Sequence, residues 1–233
     1  MSEMMDQAFF QENMMGPNAV RILEEMCGFL PSPLKGKILD LGCGRGLTSL
    51  ALAQRFDAEI FAVDLWICAT ENYRRFQQFS FGENIVPIHA DVHDLPFAEG
   101  YFDGVVTVDS YHYYGAEEGF LGKTIVPLVK PGGLIAMAVP GLQKDLKKEE
   151  IPPELLPYWQ EDMNFHSCGW WKQLWEKEPA VKVIQCRPLD CHGQAWKDWL
   201  ACDGNPYARG DVPMIQAEGG RYFNTVFLLA QVV

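Results

Sequence analysis

Positive charge is scarce in this chain. Its 233 residues hold 19 Lys and Arg against 31 Asp and Glu, a formal net charge of −12. No basic run occurs anywhere, so the electrostatic footprint that a nucleic-acid surface requires is missing and no nucleic-acid partner is expected. A neutral or cationic small molecule is easier to admit. Cysteine is present but without pattern: seven residues, irregularly spaced and with no CxxC pair, form neither a disulfide framework nor a zinc ribbon, and no metal is expected. No apolar run is long enough to span a bilayer. The opening Met1-Ser2-Glu3-Met4-Met5-Asp6 is acidic and lacks the positive-then-apolar order of a signal peptide. The expected location is therefore the cytoplasm, with reduced thiols. Internal repeats and low-complexity segments are absent too. With 48% hydrophobic and 21% charged residues, the chain is expected to fold as one domain over 1–233, a monomer or homodimer with a real core.

What is present is organised around Ile38-Leu39-Asp40-Leu41-Gly42-Cys43-Gly44-Arg45-Gly46-Leu47-Thr48. Lys37 to Leu41 reads as a strand covered on both faces. The alternate glycines allow a tight turn and close approach of a ligand to the backbone. Leu47 to Phe56 then carries apolar residues at helical spacing, opening with free N–H groups that point into a crevice. Upstream, residues 1–33 read as a flap rich in aromatic and Met residues, followed by a helix with Pro17 in its first turn. Two readings of that flap stand: core packing, or a lid.

Downstream, further strands are read over 59–63, 84–89, 102–108 and 134–139, with helices over 67–79 and 119–129 between them. Strand and helix alternate, so a doubly wound, mostly parallel sheet is expected. After Pro140 the rhythm breaks, and 141–180 and 190–220 read as substrate-side insertions around a helix at 169–178 and a sixth strand at 181–187. The long closing strand, 221–232, follows no crossover helix and is expected to enter antiparallel as the seventh.

Ligands of such sheets bind beyond the carboxyl ends of the strands. Acids fall there in order: Asp40 with Gly42, Gly44 and Gly46, then Asp64, Asp91 and Asp109. Asp64 lies about 20 residues past the turn, where a carboxylate meets a ribose hydroxyl. The turn is GxGxG, with Leu47 where the dinucleotide pattern has its last glycine. Asp40 stands where it would repel a pyrophosphate but could pair with an ammonium group; the other reading makes it a cap for the turn. A ligand with a ribose and a cationic amino-acid end suits these acids, and NAD suits them poorly.

Ile38 to Gly46, with Asp64, Ala90-Asp91 and the Leu128-Val-Lys-Pro-Gly-Gly133 turn, resembles the class I S-adenosylmethionine-dependent methyltransferases over roughly Leu34 to Val139. The resemblance implies S-adenosyl-L-methionine as cofactor, S-adenosyl-L-homocysteine as product, a cofactor-binding core over 34–140 and an antiparallel seventh strand. It places the methionine portion over Gly42, Cys43, Gly44 and Gly46, and the ribose on Asp64. Leu65 and Trp66 would cover one adenine face, Asp91 and Val92 would flank the ring, and Asp109 would face the methionine end. Asp94 competes with Asp91 for the adenine contact.

Methyl transfer from a sulfonium is an in-line displacement that needs positioning and dryness first, and a base only where the nucleophile must lose a proton early. The residues expected nearest the methyl group are Tyr111, His112, Tyr113 and Tyr114. His112, with Tyr111, is the candidate for catalysis; the alternative makes these residues one wall of the pocket. His166 and Trp170 are further candidates for the substrate pocket, as an aromatic cage or as core. Arg209 and Arg221 read either as partners for a substrate anion or as surface residues. The Asn/Asp-Pro-Pro-aromatic motif of nucleic-acid amino-methylating members is replaced by Asp109-Ser110-Tyr111-His112. Nothing marks Cys68, Cys168 and Cys202 as an arsenic-binding triad. The expected activity is methylation of a small molecule, with a non-catalytic cofactor-binding protein or a nicotinamide oxidoreductase as alternatives.

Overall fold

A computed structural model describes residues 5–160, 162–202 and 204–233; the first four residues of the expected flap lie outside them. Seven strands make one sheet: β1 (Gly36–Leu41), β2 (Ala58–Asp64), β3 (Ile85–His89), β4 (Phe102–Val108), β5 (Val129–Leu142), β6 (Val181–Pro188) and β7 (Phe223–Val232). Their order is β3-β2-β1-β4-β5-β7-β6. β1 to β5 pair in parallel, and β7 runs antiparallel to both β5 and β6. This is the expected sheet, closing strand included. The winding reverses between β1 and β4, which opens a crevice at their carboxyl ends.

Period-two alternation sends neighbouring side chains to opposite faces. Ile38, Ile60, Val106, Ala136 and Leu229 join one apolar cluster, and Leu39, Phe61, Val105, Ile135 and Leu228 join the other. The first face is covered by α2 (Ala19–Cys27) and α3 (Leu47–Arg55), with Ile22, Leu23, Met26, Leu50 and Leu52 buried against it. α4 (Ala69–Phe76) adds Phe76 to the same layer. The second face is covered by α5 (Cys168–Trp175), whose Trp171 and Trp175 are wholly buried.

Three elements differ from expectation. The crossover between β4 and β5 is no regular α-helix: a π-helical turn at Leu121–Ile125 runs into a 3-10 turn at Val126–Leu128. Gly119 in a left-handed conformation precedes it, and Pro127, lacking an N–H, interrupts it. β5 is longer than expected because the antiparallel β7 supplies partners from Leu134 through Leu142. Finally, α7 (Pro206–Glu218) is a helix despite Pro213 in its interior. With the short α1 (Gln7–Asn13) and α6 (His192–Leu200) it surrounds a third cluster, in which Met14, Leu142, Trp199 and Phe223 meet at the carboxyl end of the sheet.

Candidate cofactor and substrate cleft

A cavity of about 270 Å³ opens at the winding reversal. Its floor is the turn after β1, its sides are the ends of β2, β3 and β4, and its roof is the flap from Asn13 to Pro17. Gly42 and Gly46 adopt left-handed φ values of 74° and 83°, where any other residue is strained. A Cβ on Gly42 would stand 1.7 Å from Ser110 Oγ, and one on Gly46 would stand 2.3 Å from Phe76 Cε1. The first glycine admits the end of β4; the second seats α4.

The N–H groups of this turn are largely consumed within the protein. Gly42 and Cys43 both donate to Val63 O at 2.9 and 3.0 Å, and Gly46 donates to Cys43 O at 2.9 Å. Gly44 donates to Asp64 Oδ2 at 2.8 Å. Asp64 Oδ1 accepts from the backbone of Trp66 at 2.7 Å and of Ile67 at 2.9 Å. Asp64 is thus locked at the tip of β2, with its carboxylate on the cleft wall.

Asp40 does not line the cleft. It turns under the glycines, where Oδ2 accepts from Thr48 Oγ1 at 2.7 Å and Ser49 Oγ at 2.6 Å. Gly46 offers α3 no side-chain cap, so Asp40 ties the helix start from below through these two hydroxyls, while the N–H groups of the turn donate elsewhere. Burial pushes its carboxyl up to about 6, against the pull of the two hydroxyls.

Asp91 and Val92 line the cleft and Asp94 does not. Asp91 Oδ1 accepts from His93 N at 2.9 Å and contacts His93 Nδ1 at 2.7 Å; these bonds hold its carboxyl below the usual range. Leu65 and Trp66 stand exposed at the mouth, with the Trp66 ring edge-on to Tyr113 at 5.2 Å. Tyr114 lies deeper, its hydroxyl 3.0 Å from Ser110 Oγ. Asp109 closes the far end, with a left-handed φ of 57° unusual for a residue with a side chain. A Cβ on Gly16 of the flap would come 2.1 Å from Asp109 Oδ2, so flap and acid meet face to face.

Besides Asp40, five of the expected residues lie outside the cleft lining. Tyr111 is packed among Phe120, Trp171 and Trp175 on the second face. His112 is 3% exposed, with Nδ1 unpartnered among the described residues and its ring 4.0 Å from that of Tyr113. Burial lowers its pKa to about 3. His166 and Trp170 stack on each other at 3.6 Å beside Asp145. Gly46, the fifth, acts from behind the turn through Phe76.

The flap, left open between core and lid, forms the roof and is pinned from three directions. Arg45 Nη1 donates to Glu12 O at 2.6 Å, Arg75 Nε to Asn13 Oδ1 at 2.8 Å, and Asn205 Nδ2 to Met14 O at 2.8 Å. Sequence reasoning did not pick out Met15, Thr48, His93 or Ser110, all of which line the cleft. Only Ser110, beside Asp109 at a strand end, carried a local signal.

A model of the methyltransferase domain matches residues 38–133, the span that builds this floor and these walls. Over that span the chain carries a methyltransferase domain, in line with its resemblance to the class I S-adenosylmethionine-dependent methyltransferases. Among curated proteins similar to this chain is the 27-O-demethylrifamycin SV methyltransferase of Amycolatopsis mediterranei, 24% identical over 50% of this chain and 43% of that one. Another is the glycine/sarcosine/dimethylglycine N-methyltransferase of Actinopolyspora halophila, 24% identical over 58% of this chain and 24% of that one. The matched part is less than half the length of either relative. Among solved structures, a geranyl diphosphate methyltransferase in complex with GPP and sinefungin superposes with a TM-score of 0.71. Its identity is 15%, over 93% of this chain and 78% of that chain, a likeness of fold.

Proposed function

We propose that this protein is a methyltransferase that binds S-adenosyl-L-methionine in the cleft and transfers its methyl group to a small-molecule acceptor, releasing S-adenosyl-L-homocysteine. The observation that carries the reading is the convergence of Gly42, Gly44, Asp64, Asp91 and Asp109 on one cavity roofed by the flap. The residues present fit the donor. Asp64, fixed by three backbone N–H groups, keeps lone pairs for the ribose hydroxyls. Leu65 and Trp66 on one side and Val92 on the other supply apolar faces for adenine, with Asp91 at the ring edge. Gly42 and Gly44 leave room for the methionine portion against the backbone.

The donor, when bound, supplies an electrophilic methyl group on a positively charged sulfur. The protein's part is to align an acceptor with the carbon–sulfur bond and to keep water away, which the flap does as roof. His112 lies behind the cleft lining, packed against Tyr113 and Phe165, and burial lowers its pKa to about 3, which speaks against its acting as a base at neutral pH. A nicotinamide dinucleotide is disfavoured on a specific ground. Its pyrophosphate needs free N–H groups at the turn, and those of Gly42, Cys43, Gly44 and Gly46 are already engaged. The test is release of S-adenosyl-L-homocysteine from full-length protein supplied with S-adenosyl-L-methionine and panels of amines, phenols, thiols and carboxylates. One productive class supports the reading, and no release with any class counts against catalysis.

A further inference from the structure

The acids of the cleft are unequally matched. Asp64 and Asp91 have donors on the protein. Among the described residues no hydrogen bond or ion pair reaches the carboxylate of Asp109, which nonetheless lines the cavity. The charge that bears on it belongs to Asp211 of α7, and both acids bear on Tyr113. Asp211 is held in place by Trp199, whose wholly buried indole Nε1 donates to Asp211 Oδ2 at 2.8 Å. Burial and the like charge together raise the Asp109 carboxyl well above its usual range. Two neighbouring carboxylates, Asp109 on the cavity wall and Asp211 behind it, destabilise the free protein and favour a cation that enters beside them. The exposed Tyr113, on which both acids bear, adds attraction for an alkylammonium ion.

We propose that the methyl acceptor is an amine, admitted as its ammonium ion, with Asp109 contacting the ammonium and Asp211 as a positioning residue that supplies the second negative charge. The inference rests on the donor reading above. In the reaction the ammonium gives one proton to Asp109. The freed nitrogen lone pair forms the carbon–nitrogen bond while the carbon–sulfur electron pair leaves with sulfur. The products are a methylated ammonium and a neutral thioether. Asp109 faces Gly16 of the flap and the charge of α7, both outside the cofactor-binding core expected over 34–140, which favours the acceptor as the source of the ammonium over the donor's own amino group.

The test uses the full chain in three arms. Calorimetry first measures S-adenosyl-L-methionine and S-adenosyl-L-homocysteine on wild type and Asp211→Asn, a change that keeps an oxygen for Trp199 Nε1. The protein saturated with S-adenosyl-L-homocysteine is then titrated with phenethylamine and N-methylphenethylamine, each against an alcohol of the same size. Turnover of the same amines is measured last. The expected result is amine binding at least about tenfold tighter than alcohol in wild type, a preference lost in Asp211→Asn and restored in Asp211→Glu, with unchanged affinity for the donor. A donor affinity that falls about tenfold in Asp211→Asn would assign the ammonium to the donor and overturn the proposal. Equal affinity for amine and alcohol in wild type, including no binding of either, overturns it as well. Failure of wild type to bind the donor at all is a separate result, and sinks the donor reading instead.

Discussion

Asp40 and His112 are buried titratable groups with opposite consequences for stability. Asp40 has its carboxyl raised from 3.8 to about 6, so the folded state holds that proton more tightly than the unfolded chain. Its contribution to stability is present below the unfolded value and is lost as pH rises through about 6, a change on the order of 3 kcal/mol. Asp40→Asn keeps an acceptor for Thr48 and Ser49; it is expected to flatten the melting temperature between pH 4 and pH 7, and an unchanged slope would place the titration elsewhere. For His112 the folded value is depressed from 6.5 to about 3, so stability is full above the unfolded value and falls with pH from there. His112→Phe preserves the ring contacts with Tyr113 and Phe165. It is expected to soften the acid limb of the melting curve and to leave the pH dependence of turnover near neutrality as in wild type. A loss of the neutral-pH limb of the rate would return His112 to the reaction. Asp64→Ala removes the carboxylate that orders Gly44, Trp66 and Ile67. Donor affinity is expected to fall by about 1.5–3 kcal/mol for the lost charged hydrogen bond, measured by calorimetry. Full retention would mean the ribose lies elsewhere.

At the scale of elements, legibility follows locality. The strand, turn and helix around Gly42 to Gly46 are specified by neighbours within a dozen residues, and so are the acids at the ends of β2, β3 and β4; both could be read from order alone. What stayed hidden depends on partners distant in sequence. β5 continues to Leu142 because β7 lies beside it. α7 forms across Gly210 and Pro213, and its Asn205 cap both accepts from Tyr207 N and donates to Met14 O in the flap. Asp211 reaches the neighbourhood of Asp109 only through that docking. The direction of Asp40 was equally out of reach, since a carboxylate two residues before a glycine turn can face ligand or helix, and Thr48 and Ser49 decide it. The flap yields its own expectation. Gly16→Ala sets a methyl group against Asp109, so the roof must lift or the acid must turn; turnover is expected to drop by about tenfold or more with little change in melting temperature. Activity equal to wild type would show that the roof does not need this fit.

On the scale of the whole molecule, the acidic surface and the cleft have the same sign: a net charge of −12 surrounds a cavity whose unmatched group is a carboxylate. Such a field favours the approach of a cationic donor and opposes polyanions. Among the described residues no helix is long and apolar enough to cross a membrane. The sheet sets β1 and β4 side by side at the winding reversal, α3 and α4 seat the turn, and the chain beyond β5 returns to place α6 and α7 beside the roof. All of this builds one site, and the identity of its donor is the central claim. Calorimetric titration of the full chain with S-adenosyl-L-methionine, S-adenosyl-L-homocysteine and NAD tests it most directly. Binding of both adenosyl ligands, with none of NAD, is the expected result; binding of NAD with neither adenosyl ligand would contradict the account.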